Sequence, residues 1–427
     1  MNTNIPPKDV AITPFNKPFF TELHALFALH LPHHDLKSYS LVSRAFNREA
    51  NRVLWRSVRV LAHYWRRRGV IEGFVQALVR DSVRAACVLR VNFINDVRDY
   101  DSMFPANPTE RHWNSLEETF RLLIRLKSIG LTIHNGYCSS APYDPTYPEQ
   151  FLNIIASVFA ASPLVAFDAC LPLYRFLQFC QLWPTVVTLR FGNISRADLV
   201  GLPPEALPQL RHAELDLGSM RHIIRGRPIE TLYQFLPHSE FFEYGSNDFE
   251  WVAESIRCCK TLLRARAYGV SKNVEHSPTL LPLLVHDNLR ELEFRVILLK
   301  PPWLGTDDDR LGWLLTREAI QTLPPGVLAR FPKLETLRII LYGRTFGSAT
   351  ESVDDECMGR VANWLARRLT SETSTALNCV EIHYCECSHF IRDYASLSFL
   401  ATCRESHWDV KFSRNKALIC TRIDDVC

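Results

Sequence analysis

A chain of 427 residues, 47% of them hydrophobic, can bury a sizeable core and exceeds what one compact domain usually holds, so two parts are expected. Its 49 basic and 46 acidic side chains leave a formal charge of +3, which supplies no net field toward nucleic acid or an anionic membrane and confines charge effects to local clusters. Thirteen cysteines, odd in number and irregularly spaced, follow an N-terminus (Met1 to Asn16) with no apolar signal-peptide stretch, so a reducing compartment, cytoplasmic or nuclear, is expected.

Residues 1–17 carry no periodic pattern and are expected to be disordered. From Phe19, the apolar residues Leu23, Leu26, Phe27 and Leu31 recur three to four apart, the stripe of a helix about three turns long. Pro32 ends it, because proline disfavours helical geometry in the residue before it. Asp35 and Leu36 open a second short helix, with Leu36, Tyr39, Leu41 and Val42 as an apolar patch. Ser43 can cap a third helix carrying Phe46, Ala50, Val53 and Leu54. Three short helices cannot cover all these side chains by themselves. The remainder packs either on another polypeptide or on the rest of this chain, and the pattern leaves both open.

In order, the segment supplies Glu22, Leu23, Phe27, Leu31, Pro32, Asp35, Leu36, Leu41, Val42, Ser43, Arg44, Phe46, Trp55 and Arg56. On these residues, 18–60 resembles an F-box, with the ending Leu54 to Val58 similar to fungal examples. Phe19 and Phe20 stand where the family has Leu-Pro, and the nearest proline is Pro18. The resemblance implies a three-helix module that docks an Skp-type adaptor attached to a cullin scaffold. It assigns the adaptor contact to Leu23, Phe27, Leu31, Pro32, Asp35, Leu36, Leu41, Val42, Phe46 and Trp55.

Residues 61–427 repeat a strand signature: apolar, two variable, apolar, one variable, apolar. Copies are Ala86-Leu89-Val91, Leu126-Ile129-Leu131, Leu164-Phe167-Ala169, Val186-Leu189-Phe191, Leu210-Ala213-Leu215, Ser239-Phe242-Tyr244, Leu262-Ala265-Ala267, Leu289-Leu292-Phe294, Leu334-Leu337-Ile339 and Leu377-Val380-Ile382, with a possible further one at Val410 and Phe412. The middle copies start 22 to 29 residues apart, the spacing of a leucine-rich repeat, and the wider gaps imply insertions. Helix-like stretches at Leu152-Ile155-Phe159, Phe249-Val252-Ile256 and Val361-Trp364-Leu365 lie between them. Strands alternating with helices predict an α/β chain: an F-box-like helical module, then an irregular leucine-rich-repeat solenoid with a parallel sheet. The uncharged run from Gln150 to Phe167 is broken by Pro163 and reads as a helix followed by a strand, not a membrane span.

Alternation leaves every second strand residue facing outward, where a protein substrate would bind. That face is expected to carry Arg90, Asn92, Thr132, Thr188, Arg190, Glu214, Asp216, Glu243, Arg264, Arg266, Glu291, Glu293, Arg338, Glu381 and His383. The substrate contact is placed on Arg190, Glu214, Asp216, Arg264, Arg266, Glu291, Glu293 and Arg338. Their mixed signs suit a protein partner better than a polyanion, and cross-strand pairing among themselves is an equally weighted alternative.

Catalytic chemistry has no visible seat. His383, Cys385, Cys387 and His389 alternate, but the outer two would stand about 20 Å apart on a strand, too far to share zinc. Cys258-Cys259 reads as packing at a helix end, Asp307, Asp308 and Asp309 as a solvated loop, and Arg66, Arg67 and Arg68 as a wet helix edge. Phosphate-loop, nucleophile-elbow and zinc-protease motifs are absent. No metal or cofactor is expected, and the expectation is a non-catalytic substrate receptor of a ubiquitin ligase. A leucine-rich-repeat scaffold with a helical cap is the alternative, and an unrecognised hydrolase or metal enzyme ranks last.

Overall fold

The structure, a computed structural model, describes residues 18–61, 70–96, 103–104, 108–134, 147–171, 173–193, 202–203, 205–234, 246–270, 280–298, 328–343, 376–377, 379–386, 396–397, 408–412 and 417–422. The chain forms two compact units: the first comprises 1–95, 99–130 and 149–162, the second 96–98, 131–148 and 163–427.

The first unit opens with α1 (Pro18–His30), α2 (His33–Ser40) and α3 (Arg44–Leu54). Helix α2 starts at His33, two residues before the expected Asp35, because the Pro32 carbonyl already accepts the Asp35 and Leu36 N–H groups at 3.0 and 3.1 Å. Ser43 caps α3 as expected, its hydroxyl accepting from Phe46 N–H at 3.3 Å. Ala28, Leu36 and Ala50 meet in a buried cluster, with Leu31, Tyr39, Val53 and Leu54 half-buried around it. Phe46 stands between the rings of His24 and Tyr39, at 4.2 and 4.4 Å between centroids.

Then follow β1 (Ser57–Leu61), α4 (Val70–Val79), α5 (Ser82–Cys87), β2 (Arg90–Asp96), α6 (Glu110–Arg121), β3 (Ser128–His134), of which 131–134 are assigned to the second unit, and α7 (Glu149–Phe159). Strand β1 pairs in parallel with β2, Ser57 against Arg90. It occupies residues expected to close the helical module, yet Trp55, Val58 and Val60 follow the apolar spacing of the later strands. In β2 the buried residues are Val88, Val91 and Phe93, two positions beyond the expected Ala86-Leu89-Val91. A slip of two preserves strand parity, so Arg90 and Asn92 keep their place on the polar face. Phe93 centres the unit's core, with Phe74, Phe120 and Phe151 ring centroids 6.0, 5.6 and 5.2 Å away.

The second unit contains β4 (Ala166–Leu171), α8 (Leu173–Leu182), β5 (Thr188–Asn193), β6 (His212–Leu215), α9 (Leu217–Ile223), β7 (Thr231–Gln234), α10 (Ser246–Arg257), β8 (Arg264–Val270), β9 (Glu291–Leu298), β10 (Thr336–Gly343) and β11 (Cys379–Glu386). From β4 to β11 each strand pairs in parallel with its successor. With β1 and β2, ten strands lie in parallel pairs. Beyond them β14 (Ala417–Arg422) and β12 (Ser396–Leu397) run antiparallel to β11, and β13 (Trp408–Phe412) antiparallel to β14. Val410 and Phe412 therefore belong to an antiparallel hairpin, not to another parallel copy.

One backbone device recurs where the parallel strands begin. The Val165 carbonyl accepts the N–H groups of Val187 and Thr188, Val187 those of Arg211 and His212, and Arg211 those of Glu230 and Thr231. Glu230 then serves Leu263 and Arg264, Leu263 serves Arg290 and Glu291, and Arg290 serves Glu335 and Thr336, all between 2.8 and 3.1 Å. In the first unit Arg56 and Leu89 do the same for β2 and β3. Three apolar residues go inward at β8 (Leu262 just before it, then Ala265 and Ala267) and at β9 (Leu289 just before it, then Leu292 and Phe294), none more than 2% exposed. Fully burying one leucine contributes roughly 1.5–3 kcal/mol, so repetition of this pattern supplies most of the driving force.

Strand β7 was not expected where it lies. Its signature is Ile229, Leu232 and Gln234, and the glutamine breaks an apolar template; buried, its Oε1 accepts from Leu280 N–H at 3.1 Å. The expected copy at Ser239-Phe242-Tyr244 and the helix at Val361-Trp364-Leu365 lie outside the described residues, as do residues 1–17. Helices α7 and α10 stand where the periodicity places them. The Gln150–Phe167 run resolves into α7 and the start of β4, and among the described residues no helix is long and apolar enough to cross a membrane.

Candidate functional site

Two surfaces carry the residues singled out in the sequence. The first is the three-helix segment. Phe27 is 59% exposed, Leu41 85% and Val42 66%, and Leu26 and Leu29 are exposed beside Phe27 on α1. Pro32 is exposed, while Leu23, Leu31 and Asp35 are half-buried, Asp35 within 3.1 Å of His34 Nε2.

Three expected adaptor contacts have inward roles. Leu36 is 3% exposed and belongs to the module's own cluster, with Ala28 of α1 and Ala50 of α3. Phe46 is wedged between α1 and α2. Trp55 lies under the Arg84 guanidinium of α5, at 5.4 Å from the ring centroid. The outward apolar groups are thus the α1 residues and the turn between α2 and α3.

The second surface is the polar sheet face of the second unit. Asp168, Arg190, Glu214, Tyr233, Arg266, Glu293, Arg338 and Glu381 occupy successive register positions from β4 to β11. Arg190 lies between Asp168 at 3.8 Å and Glu214 at 3.7 Å. Arg266 Nε donates to Glu293 at 2.7 Å, and its guanidinium carbon stands 3.8 Å from the centroid of the Tyr233 ring. Arg295 Nε donates to the same carboxylate oxygen at 2.5 Å, and Arg338 lies 3.9 Å from the other oxygen. One register step earlier on this face, Arg264 donates to Glu291 at 3.0 Å.

Burial pulls the Glu293 carboxyl upward, but Arg295 and Arg266 together outweigh it and hold it below the usual carboxylate range. The cross-strand pairing alternative therefore describes β8 to β10 well. Beside it, Tyr233 interrupts the charges between Glu214 and Arg266. Of the eight expected substrate contacts, Arg190, Glu214, Arg264, Arg266, Glu291, Glu293 and Arg338 lie on this face and Asp216 does not. That aspartate falls one residue past β6, is 5% exposed, and caps α9 by accepting from Ser219 N–H at 2.9 Å and Ser219 Oγ at 2.7 Å. A strand of four residues ends too early to hold it in register.

Asp168, Tyr233 and Arg295 were missed. Asp168 and Arg295 follow from the period of two once strand starts are known, whereas Tyr233 was hidden with β7. Thr188 is exposed at the start of β5, Thr132 is half-buried in β3, and Glu381 and His383 lie in β11. Glu243 lies outside the described residues. In the first unit Gly130 makes room for Asn92, since a Cβ at 130 would collide with the asparagine side chain.

Burial pushes the Cys180 thiol well up, against the opposing pull of Arg227, and burial likewise raises Cys259, whose Sγ donates to the Ile229 carbonyl at 3.3 Å. Thiols so placed pack and do not attack. Cys258 follows α10 directly, as expected, but it is exposed and its Sγ donates to Glu254 at 3.4 Å, so of the pair only Cys259 packs. Among the described residues no group of three or more His, Cys, Asp or Glu could hold a metal ion. Cys387, His389, Asp307 to Asp309 and Arg66 to Arg68 lie outside them. Compared with known protein-family models and with curated protein sequences, the chain matches none.

Proposed function

We propose that this chain is the substrate-recognition subunit of a cullin-based ubiquitin ligase. The three-helix segment docks an Skp-type adaptor, and a leucine-rich-repeat-like second part holds a protein substrate. The observation that carries this reading is the exposure of Leu41 and Val42: an 8-residue and an 11-residue helix meet at a turn whose two apolar side chains face water. Such groups are sheltered by a partner when one is present. The recurring strand starts support the repeat reading, and the polar sheet face, with Tyr233 among ion pairs, supplies the aromatic and arginine side chains that dominate protein interfaces.

The mechanism is proximity. Holding a target lysine near a charged conjugating enzyme raises its effective concentration, so the receptor contributes geometry and no catalytic residue. Co-expression with an Skp-type adaptor tests the reading: a stable complex is expected, and a chain that stays monodisperse alone and ignores the adaptor sinks it.

The scaffold alternative draws on one observation. Trp55 under Arg84, together with the Arg56 carbonyl accepting from Leu89 and Arg90, ties the end of α3 to the first strand pair, as a helical cap requires. A cap needs no adaptor, so the same co-expression separates the two.

A further inference from the structure

Helix α3 carries a charge pattern that lies outside the expected adaptor contacts. Arg44, Arg48, Arg52 and, just past the helix, Arg56 follow at intervals of four, and all four are exposed. Trp55, the C-cap, keeps right-handed helical angles (φ −85, ψ −4), so the turn continues to Arg56. At ~1.5 Å rise per residue the guanidiniums mount the helix in steps of about 6 Å, drifting gradually around one side. The opposite side, with Ala50, Val53, Leu54 and Phe46, faces the module's core.

Glu49 is the only acidic residue of α3. It is buried, and Arg48 and Arg52 reach it at 3.2 and 3.4 Å. Arg44 and Arg56 have no ion-pair partner among the described residues. Four cations and one anion thus leave a net charge of +3 on thirteen residues, equal to the formal charge of the whole chain. Elsewhere, on the sheet face, arginines alternate with carboxylates.

We infer that this arginine stripe is a second docking surface, for an acidic helix of a protein partner with carboxylates at four-residue intervals. The four-residue row is inclined to the α3 axis, and a helix crossing α3 with its own four-residue row of carboxylates sets the two rows against each other. Leu41 and Val42, immediately before the Ser43 cap, give such a helix an apolar foothold beside the charges. A nucleic-acid backbone has no use for that foothold. A membrane needs the apolar and basic groups on one helix, whereas the apolar side of α3 is turned inward. Where an adaptor covers Leu41 and Val42, the acidic helix holds the stripe through its charges alone.

The test uses the full chain and two labelled synthetic peptides of identical composition, one with glutamates every four residues on an alanine-leucine helix, the other with the same glutamates scattered around it. Fluorescence anisotropy is expected to show the ordered peptide binding, weakening with salt, and loosening about tenfold in Arg44→Glu/Arg56→Glu, whose side chains hold nothing in place. Circular dichroism verifies folding, and the milder Arg44→Gln/Arg56→Gln keeps the comparison should the reversal unfold the chain. Equal binding of both peptides, binding indifferent to the substitutions, or tighter binding of oligothymidylate or phosphatidylserine vesicles would overturn the inference.

Discussion

Arg266 and Glu293 share a hydrogen bond of 2.7 Å across β8 and β9, with side chains only 15% and 12% exposed. A pair this sheltered is costly to break singly, because the surviving charge stays out of water without its partner. Tyr233 covers one side of the guanidinium, and Arg295 holds the carboxylate from its own strand. Here a charge row expected to contact a substrate also locks neighbouring strands in register.

Glu293→Gln is therefore expected to destabilise the chain by on the order of 3 kcal/mol, read as a lower urea midpoint. The effect depends on pH. The folded carboxyl titrates below its ordinary 4.5, so its contribution is complete above that value and is lost as pH falls through the lower folded value. Below pH 4.5 wild type should lose stability more steeply than Glu293→Gln; parallel curves would refute the assignment.

Leu41→Ser/Val42→Ser should leave thermal stability within about 0.5 kcal/mol, since both side chains already face water. The same double variant should abolish co-purification with an Skp-type adaptor. Leu36→Ala makes the contrast, with a loss of about 2–5 kcal/mol from the helical cluster. An adaptor complex untouched by the serine pair would remove the docking role from the turn.

Gln234 tests pattern against hydrogen bonding. Leucine there would complete the apolar signature of β7, yet it would strand the Leu280 N–H that the amide now satisfies. Gln234→Leu is expected to lower stability by roughly 1–3 kcal/mol in chemical denaturation. A gain in stability would mean that the apolar template governs this position.

Arg227 is buried and donates only to carbonyls: Nε to Ala206 at 2.8 Å, Nη1 to Ile223 at 2.6 Å and Nη2 to Pro203 at 2.7 Å. These bonds fasten the C-terminal end of α9 to the segment before β6. Arg227→Lys keeps the charge but loses the planar fork and is expected to cost about 2–3 kcal/mol, visible as a lower melting temperature. An unchanged melting temperature would show that those carbonyls find other donors.

The order of apolar and polar residues by itself determined the helices around Leu26, Leu36 and Phe46, the Ser43 cap, and most parallel strands from Leu126 onward, because burial of one face imposes a period that local sequence displays. It fixed which face of those strands Arg190, Glu214, Arg264 and Glu293 occupy, since parity survives even the two-residue displacement in β2. It did not reveal β7, where a buried amide replaces an apolar residue, or β1, whose Trp55-Val58-Val60 spacing lay within a stretch read as helical module. Tertiary structure alone decided that Leu36 and Phe46 turn inward while Leu41 and Val42 do not, and that Asp216 caps α9. Those outcomes depend on where a helix or strand stops, as at the end of β6 before Asp216, and on what lies across from it, as Ala28 and Ala50 do for Leu36, and the period of apolar residues encodes neither.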